Sequence, residues 1–440
     1  MPTNDILTPQ EASHIATNAY FALENWVNKQ PVAGIEARGT VQNRVLGSGN
    51  TGSNQPAGGG PNPTLRGTGL ASSKLGSIHT ATTGFGTASG FGYTLTYRNQ
   101  GRTHLIIAMR GTRPELAGNP DLLTDARGAL IPFSGYGVVH KGFKRTFDSA
   151  LPGLERDNSL VAKADVVHCV GHSLGGAVAT LIAAHYANSG KTVKLYTFGS
   201  PRVGAMGAHV ALERRIGKEN IYRVAHDLDP ISLIGPFPYV HVNGTAKDSN
   251  NMTLPSPTGS LLSTMNHDMA LYIDSVGGAD MTWGNVRGFA TRVDHDNCVL
   301  ARWLLHEDNN PGWVQYASAK TLTILFKLFA HVLKTISTSL ILGLTAVDLL
   351  AEILLKGLYK AKQLGEQIMT LLGHAATWAG IKMASGANFS AQIISLILSK
   401  MLATLRQLAL VALASPARGL VPLPLIIGGA AWVLSSCGAF

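Results

Sequence analysis

The alternation of apolar and polar positions divides the chain into four stretches. Near the N-terminus, Thr8-Pro9-Gln10-Glu11 offers a cap, a proline suited to a first turn and a carboxylate at the third helical position. An apolar periodicity follows and predicts a helix to about residue 29. Residues 47–92 are rich in glycine and predict surface loop. From Tyr93 the pattern turns to short strands: residues 93–98, a turn at Asn99-Gln100-Gly101, then Leu105-Ile106-Ile107-Ala108-Met109. Later apolar runs at residues 165–170, 192–198 and 221–224 are continuous rather than alternating, with helix-length segments between them. Strands apolar on both sides are buried on both faces, which predicts an α/β unit around a mostly parallel sheet.

The fourth stretch is helical. Lys320, Lys327 and Lys334 recur every seven residues, and Asp348, Glu352, Lys356 and Lys360 every four. Each set draws one narrow polar stripe along an otherwise apolar helix between residues 321 and 362. Further apolar helices are predicted over residues 367–383 and 391–413, and an uncharged segment, 419–440, carries Pro422 and Pro424. Lysine or proline interrupts every candidate before the roughly 20 apolar residues that a membrane span requires.

Composition sharpens this division. Of 440 residues only 14% are charged and 45% are hydrophobic, against roughly 25% charged in ordinary globular proteins, so disorder is excluded. The length predicts two or three folding units. Lys+Arg 36 against Asp+Glu 26 gives a net charge of +10, but ten of the basic residues and only three of the acids lie in residues 309–440. The shift falls at Glu307-Asp308-Asn309-Asn310-Pro311-Gly312 and predicts an N-terminal α/β unit over residues 1–308 followed by an all-α C-terminal unit over residues 309–440. Lysines embedded in apolar helices without stacking aromatics argue against a nucleic-acid partner. Three readings of the tail remain: a bundle packed on itself or on the N-terminal unit, helices on or in a membrane surface, and a docking module for a protein such as a chaperone.

Cys169, Cys298 and Cys437 are too scattered for a disulfide framework or a zinc site. His168 and His172 are four apart but on a strand and turn rather than one helix face, and Asp294-His295-Asp296-Asn297-Cys298, a candidate ligand cluster by residue type, reads more simply as a solvated loop or helix start. Gly47-Ser48-Gly49-Asn50-Thr51-Gly52 matches GxGxxG but lacks the helix that dinucleotide binding requires. No metal or other cofactor is expected. The first residues lack the basic and apolar regions of a secretory signal. The expectation is synthesis in the cytoplasm, then action at membranes or delivery outside the cell by a route without such a signal.

The sharpest chemistry lies in Val166-Val167-His168-Cys169-Val170-Gly171-His172-Ser173-Leu174-Gly175-Gly176-Ala177, which reads strand, GxSxG, helix. A serine on a tight strand-to-helix turn is exposed as a nucleophile, and the amides at the helix N-terminus face the charge that develops beside it. This identifies Ser173 as the nucleophile. Its partners follow in the order acid, then histidine. Asp229, just past the apolar run at 221–224 and fixed by Pro230, is the first choice for the acid, and Asp227 is its competitor. His267, before an apolar helical run, is the choice for the base, with His241 as rival.

Six segments in order then resemble the class 3 lipases: Arg110-Gly111-Thr112, Asp121-Leu122-Leu123-Thr124-Asp125, Val139-His140-Lys141-Gly142-Phe143, the Ser173 elbow, Tyr196-Thr197-Phe198-Gly199-Ser200-Pro201-Arg202-Val203-Gly204 and Tyr222-Arg223-Val224-Ala225-His226. The resemblance covers roughly residues 5–274. It implies an α/β-hydrolase fold cleaving acylglycerols, phospholipids or other carboxylic esters with Ser173, Asp229 and His267. Oxyanion donors are implied at Leu174 N–H and at Thr112, by N–H and hydroxyl, with Asp125 supporting the second, and a lid at residues 113–128. Leu122 stands where the family usually has tryptophan, and Ile231-Ser232-Leu233-Ile234-Gly235 replaces the usual Val-Pro-x-Leu-Pro. The expected function is a lipase or phospholipase acting at membranes, of the kind delivered as a bacterial effector and held in check by an immunity partner. The rival is a membrane-inserting toxin or pore module whose main activity lies in the tail.

Overall fold

The computed structural model describes residues 5–20, 74–82, 88–112, 129–227, 229–235, 239–242, 250–257, 264–278, 280–290, 346–359, 362–382 and 388–414. Thr8 caps helix α1 (Pro9–Asn18) through the reciprocal bonds its sequence predicts: the Thr8 hydroxyl accepts from Glu11 N at 3.1 Å, and the Glu11 carboxylate accepts from Thr8 N at 2.8 Å. Residues 21–29, the rest of the expected helical run, lie outside the described residues. The end of α1 tightens into a three-residue bond from Tyr20 N to the Thr17 carbonyl, 3.1 Å, which turns the chain at Ala19 and Tyr20.

The described part of the glycine-rich stretch is strand rather than loop. Strand β1 (Lys74–Thr82) and the first residues of β2 (Ala88–Asn99) lie within it, paired antiparallel with two register shifts. Composition misleads here because glycine serves close approach: a Cβ on Gly92 would run into the Ala108 carbonyl of β3 (Arg102–Met109). Strands β4 (Leu130–Phe133) and β5 (Gly137–His140) follow, then helices α2 (Lys141–Arg156) and α3 (Asn158–Lys163). The centre of the chain alternates: β6 (Val166–His172), α4 (Leu174–Tyr186), β7 (Thr192–Phe198), β8 (Gly204–Ala205), α5 (Met206–Ile216) and β9 (Ile221–His226). After β10 (Tyr239–Val240) and β11 (Asn251–Leu254) come α6 (Met269–Val276) and α7 (Trp283–Phe289).

Among the described residues the main sheet has seven strands in the order β1-β2-β3-β6-β7-β9-β11. β1 to β3 form an antiparallel edge and the rest are parallel, so this is the α/β-hydrolase architecture. The short strands β10, β8, β5 and β4 make a second, antiparallel sheet. β6 shows why its apolar run is continuous: Val167 and Cys169 face the layer containing α2 and α4, whereas Val170 faces the layer of Ile15 in α1, Tyr272 in α6 and Trp283 in α7. α4 is buried along nearly its whole length, which explains its lack of a polar stripe.

The tail forms helices α8 (Ala346–Leu358), α9 (Lys362–Trp378) and α10 (Ala391–Ala414). Leu350, Leu354, Leu371, Leu372, Ile394 and Ile397 are buried in it, and Ser395 Oγ in α10 donates to Asp348 Oδ1 in α8 at 3.1 Å. α10 lies against two 3-10 turns that follow the central strands, Ile231–Leu233 and Thr264–His267. No described helix is long and apolar enough to cross a membrane. The boundary expected at residues 307–312 and the helical pattern over residues 321–345 lie outside the described residues.

Candidate active site

Ser173 sits between the end of β6 and the start of α4 with φ 58° and ψ −130°, a backbone that a residue with a Cβ adopts only when its surroundings enforce it. The glycines around it make that possible. A Cβ on Gly171 would strike the Gly175 carbonyl, and one on Gly175 would strike the Met109 carbonyl of β3. Ser173 N donates to the Phe198 carbonyl at the end of β7, 2.9 Å, so the elbow is tied to the neighbouring strand. Leu174 opens α4, where the first N–H groups have no acceptor within the helix.

The three residues expected to act together do meet. His267 Nε2 lies 2.8 Å from Ser173 Oγ, and His267 Nδ1 lies 2.8 Å and 3.0 Å from the two carboxylate oxygens of Asp229. Ser173 and Asp229 are fully buried and His267 is 4% exposed. Asp229 hangs from the end of β9, and His267 closes the 3-10 turn before α6 rather than opening the helix itself. Asp268 takes the cap position, its carboxylate accepting from Ala270 N at 2.9 Å.

Burial on its own would raise the pKa of Asp229. The charge of His267, with hydrogen bonds from His267, from Tyr272 and from Ile231 N, outweighs it and holds the carboxyl below its ordinary value. Tyr272 contributes the shortest of these bonds, 2.6 Å from Oη to Asp229 Oδ2. Burial first, and Asp229 second, push the Tyr272 hydroxyl well above its usual range, so it remains a donor. An ionised carboxylate is thereby aimed at one nitrogen of an imidazole whose other nitrogen faces a serine hydroxyl. That arrangement can take a proton from the serine and stabilise the imidazolium that results.

Thr112 ends the β3 segment beside the elbow, and its buried Oγ1 has no hydrogen-bond partner among the described residues. Asp125, Leu122, the expected lid at residues 113–128, the GxGxxG at residues 47–52 and the acidic run at residues 294–298 lie outside the described residues. The rivals have other work. Asp227 Oδ1 accepts from Ser256 N at 2.9 Å and from Ser256 Oγ at 2.6 Å. His241 Nε2 accepts from Arg223 Nη2 at 3.0 Å. His168 pairs with His104, Nε2 to Nδ1, at 3.0 Å.

Three contributors are not evident from sequence. Tyr272 and His172 stand in the motif runs around His267 and Ser173, but nothing local shows that one reaches Asp229 and the other reaches the His267 main chain at 3.0 Å. Tyr20, at the end of α1, bonds His172 Nδ1 at 2.7 Å across 152 residues of sequence. Only the packing of α1 on the sheet could reveal it.

Comparisons with known proteins find similarity around the Ser173 segment. The family profile described as lipase (class 3) matches residues 106–238. Over 110 residues the chain is 36% identical to secreted mono- and diacylglycerol lipase 1 of Fusarium solani, covering 24% of this chain and 32% of that protein. Over 87 residues it is 40% identical to toxin TseL of Vibrio cholerae, covering 19% of this chain and 13% of the toxin. The chain thus spans about a third of the first relative and about an eighth of the second. Among solved structures, lipase II from Rhizopus niveus is 19% identical, with 53% of this chain and 77% of that chain covered at a TM-score of 0.36. The match to the class 3 lipase family is thus confined to residues 106–238, the segment that holds Ser173 and Asp229.

Proposed function

We propose that this protein is a serine carboxylic ester hydrolase, a lipase or phospholipase cleaving acyl chains from acylglycerols or membrane phospholipids. The observation that carries the reading is the continuous chain of contacts from Ser173 Oγ through His267 to Asp229, each at 2.8 Å. His267 Nε2 accepts the hydroxyl proton as Oγ attacks the ester carbonyl, and Asp229 stabilises the imidazolium. The oxyanion of the tetrahedral intermediate accepts hydrogen bonds from Leu174 N–H and from Thr112 N–H and hydroxyl. The buried Thr112 Oγ1, without a hydrogen-bond partner among the described residues, supports this assignment. Collapse of the intermediate expels the alcohol, which takes the proton from His267, and leaves the acyl group on Ser173. Water, deprotonated by the same imidazole, attacks the acyl carbonyl, and the fatty acid leaves as Ser173 recovers its proton. No metal or cofactor enters these steps.

The catalytic unit is residues 1–308 and the tail is residues 309–440. With ten basic residues among apolar helices, the tail suits an anionic membrane surface. Similarity to a protein named as a toxin, in a chain whose own chemistry is lipolytic, supports a membrane-targeting bacterial effector that has an immunity or chaperone partner. A second reading, in which the tail itself permeabilises membranes, is favoured by its broad apolar faces. Lipid mass spectrometry of membranes treated with wild-type protein and with Ser173→Ala tests the first reading. Free fatty acid and its lyso- or deacylated co-product appear only with the wild type. Fatty acid release by Ser173→Ala sinks the assignment, and vesicle leakage by that variant without lipid cleavage favours the second reading.

A further inference from the structure

His172 fills the variable position of the elbow, one residue before the nucleophile, and is 4% exposed. Its Nε2 lies 3.0 Å from the main-chain carbonyl of His267, and its Nδ1 lies 2.7 Å from the phenol oxygen of Tyr20. A carbonyl can only accept, so His172 Nε2 carries the proton. In a neutral imidazole Nδ1 must then accept, and Tyr20 is the donor. Burial first, and the neighbouring His267 second, lower His172 to about 3, so its ring stays neutral under ordinary conditions. The His172 and His267 rings lie 4.6 Å apart, tilted by 31°.

The need for such a brace follows from where His267 sits. It ends a single 3-10 turn, outside the ladder of the sheet. The turn has its own tie in the Asn266 carbonyl, which accepts from His226 Nδ1 at 2.7 Å, and the bond from His172 fixes the next carbonyl. Tyr20 is equally constrained: a Cβ on Gly111 would collide with its hydroxyl and come 2.7 Å from Ser173 Cβ. The phenol is wedged between the strand end before Thr112 and the elbow.

We propose that Tyr20 and His172 are positioning residues for the base: Tyr20 fixes the His172 ring, and His172 holds the His267 main chain so that the imidazole reaches Ser173 and Asp229 at once. Neither group exchanges a proton with substrate. The inference rests on the Ser-His-Asp reading of the site. It also makes α1 a functional part of the catalytic unit, because Tyr20 and His172 form a continuous hydrogen-bonded path from the end of that helix to the main chain of the base.

The test uses the full chain and a soluble nitrophenyl ester, with Tyr20→Phe, His172→Ala, His172→Gln and Ser173→Ala compared with wild type. Removing one neutral hydrogen bond corresponds to a change of about three- to tenfold, so Tyr20→Phe lowers kcat by about that factor with KM unchanged. His172→Ala lowers kcat further. His172→Gln, whose side-chain N–H can reach the same carbonyl, recovers part of the loss. The low-field proton resonance of the His267–Asp229 bond broadens in His172→Ala and returns in His172→Gln. Wild-type kcat in Tyr20→Phe and His172→Ala overturns the brace, as does a loss confined to KM or a glutamine variant no better than alanine. Tyr20→Phe preserves the ring and keeps the test readable if His172→Ala does not fold. An inactive Ser173→Ala beside fully active brace variants removes this inference alone, whereas an active Ser173→Ala removes the triad reading with it.

Discussion

Tyr272 Oη donates to Asp229 Oδ2 at 2.6 Å, to the same oxygen that His267 Nδ1 approaches at 2.8 Å. The Tyr272 oxygen also accepts from His226 N at 3.0 Å, so one phenol ties the acid to the end of β9. Tyr272→Phe removes both bonds without changing the ring. A hydrogen bond to a charged group is worth about 1.5–3 kcal/mol, so kcat should fall at least about tenfold with little change in KM. Steady-state kinetics on a soluble ester check this, and an unaltered kcat would show that Asp229 needs no such support.

The two acidic candidates separate by substitution. Asp229→Asn keeps the shape but loses the charge that stabilises the imidazolium, and activity should fall by about 10³- to 10⁴-fold. Asp227→Ala removes the contacts to Ser256 and should stay within a few-fold of wild type. Equal losses in the two variants would refute the assignment of the acid.

Thr112→Val exchanges a hydroxyl that has no partner among the described residues for a methyl of similar volume. If that hydroxyl serves the oxyanion, kcat drops by about 10²- to 10³-fold. The fold should be little harmed, since among the described residues this buried hydroxyl has no hydrogen bond to lose. Thermal melting alongside kinetics distinguishes this from collapse of the site: the melting temperature holds or rises while kcat falls.

Stability should depend steeply on pH on the acid side of neutrality. Burial lowers His79 and His209 to about 4 and His172 to about 3, and it drives His168 well below its ordinary value. Folded values below the unfolded value of about 6.5 mean that the unfolded chain binds more protons as pH falls, so stability is lost below about 6.5. Each group contributes up to about 1.4 kcal/mol per pH unit between its unfolded and folded values. Asp229 acts in the same sense but at lower pH: its depressed folded value keeps its contribution intact above about 3.9, and that contribution is lost as pH falls from there through the folded value. Melting temperature should be nearly level above about pH 7 and fall sharply by about pH 5. A level profile across that range would contradict the neutral state of these histidines.

The sequence revealed those parts of the site whose chemistry is compressed into a few neighbouring residues. Gly171, Ser173 and Gly175 announce an elbow because only that backbone needs small residues two positions to either side, and β6, β7 and β9 announce themselves by apolar runs that a doubly covered sheet requires. Asp229 and His267 followed from chain order. What stayed hidden was contact between distant segments: Tyr20 on His172, Tyr272 on Asp229, and α10 on the turns beside the acid and base. Gly92 misled because a glycine placed for close strand approach and a glycine placed for a loop look the same in sequence.

The placement of α10 bears on how deletion mapping of this chain is to be read. Its helix backs the turn that ends in His267 and the turn that follows Asp229, so removing residues 391–414 strips a wall from the catalytic loops. A truncated chain that has lost hydrolysis therefore does not assign any activity to the tail. Outward-facing substitutions do: Leu396 and Met369 are 50% and 42% exposed, and changing them to serine alters what the helices offer to a lipid surface while leaving the wall in place.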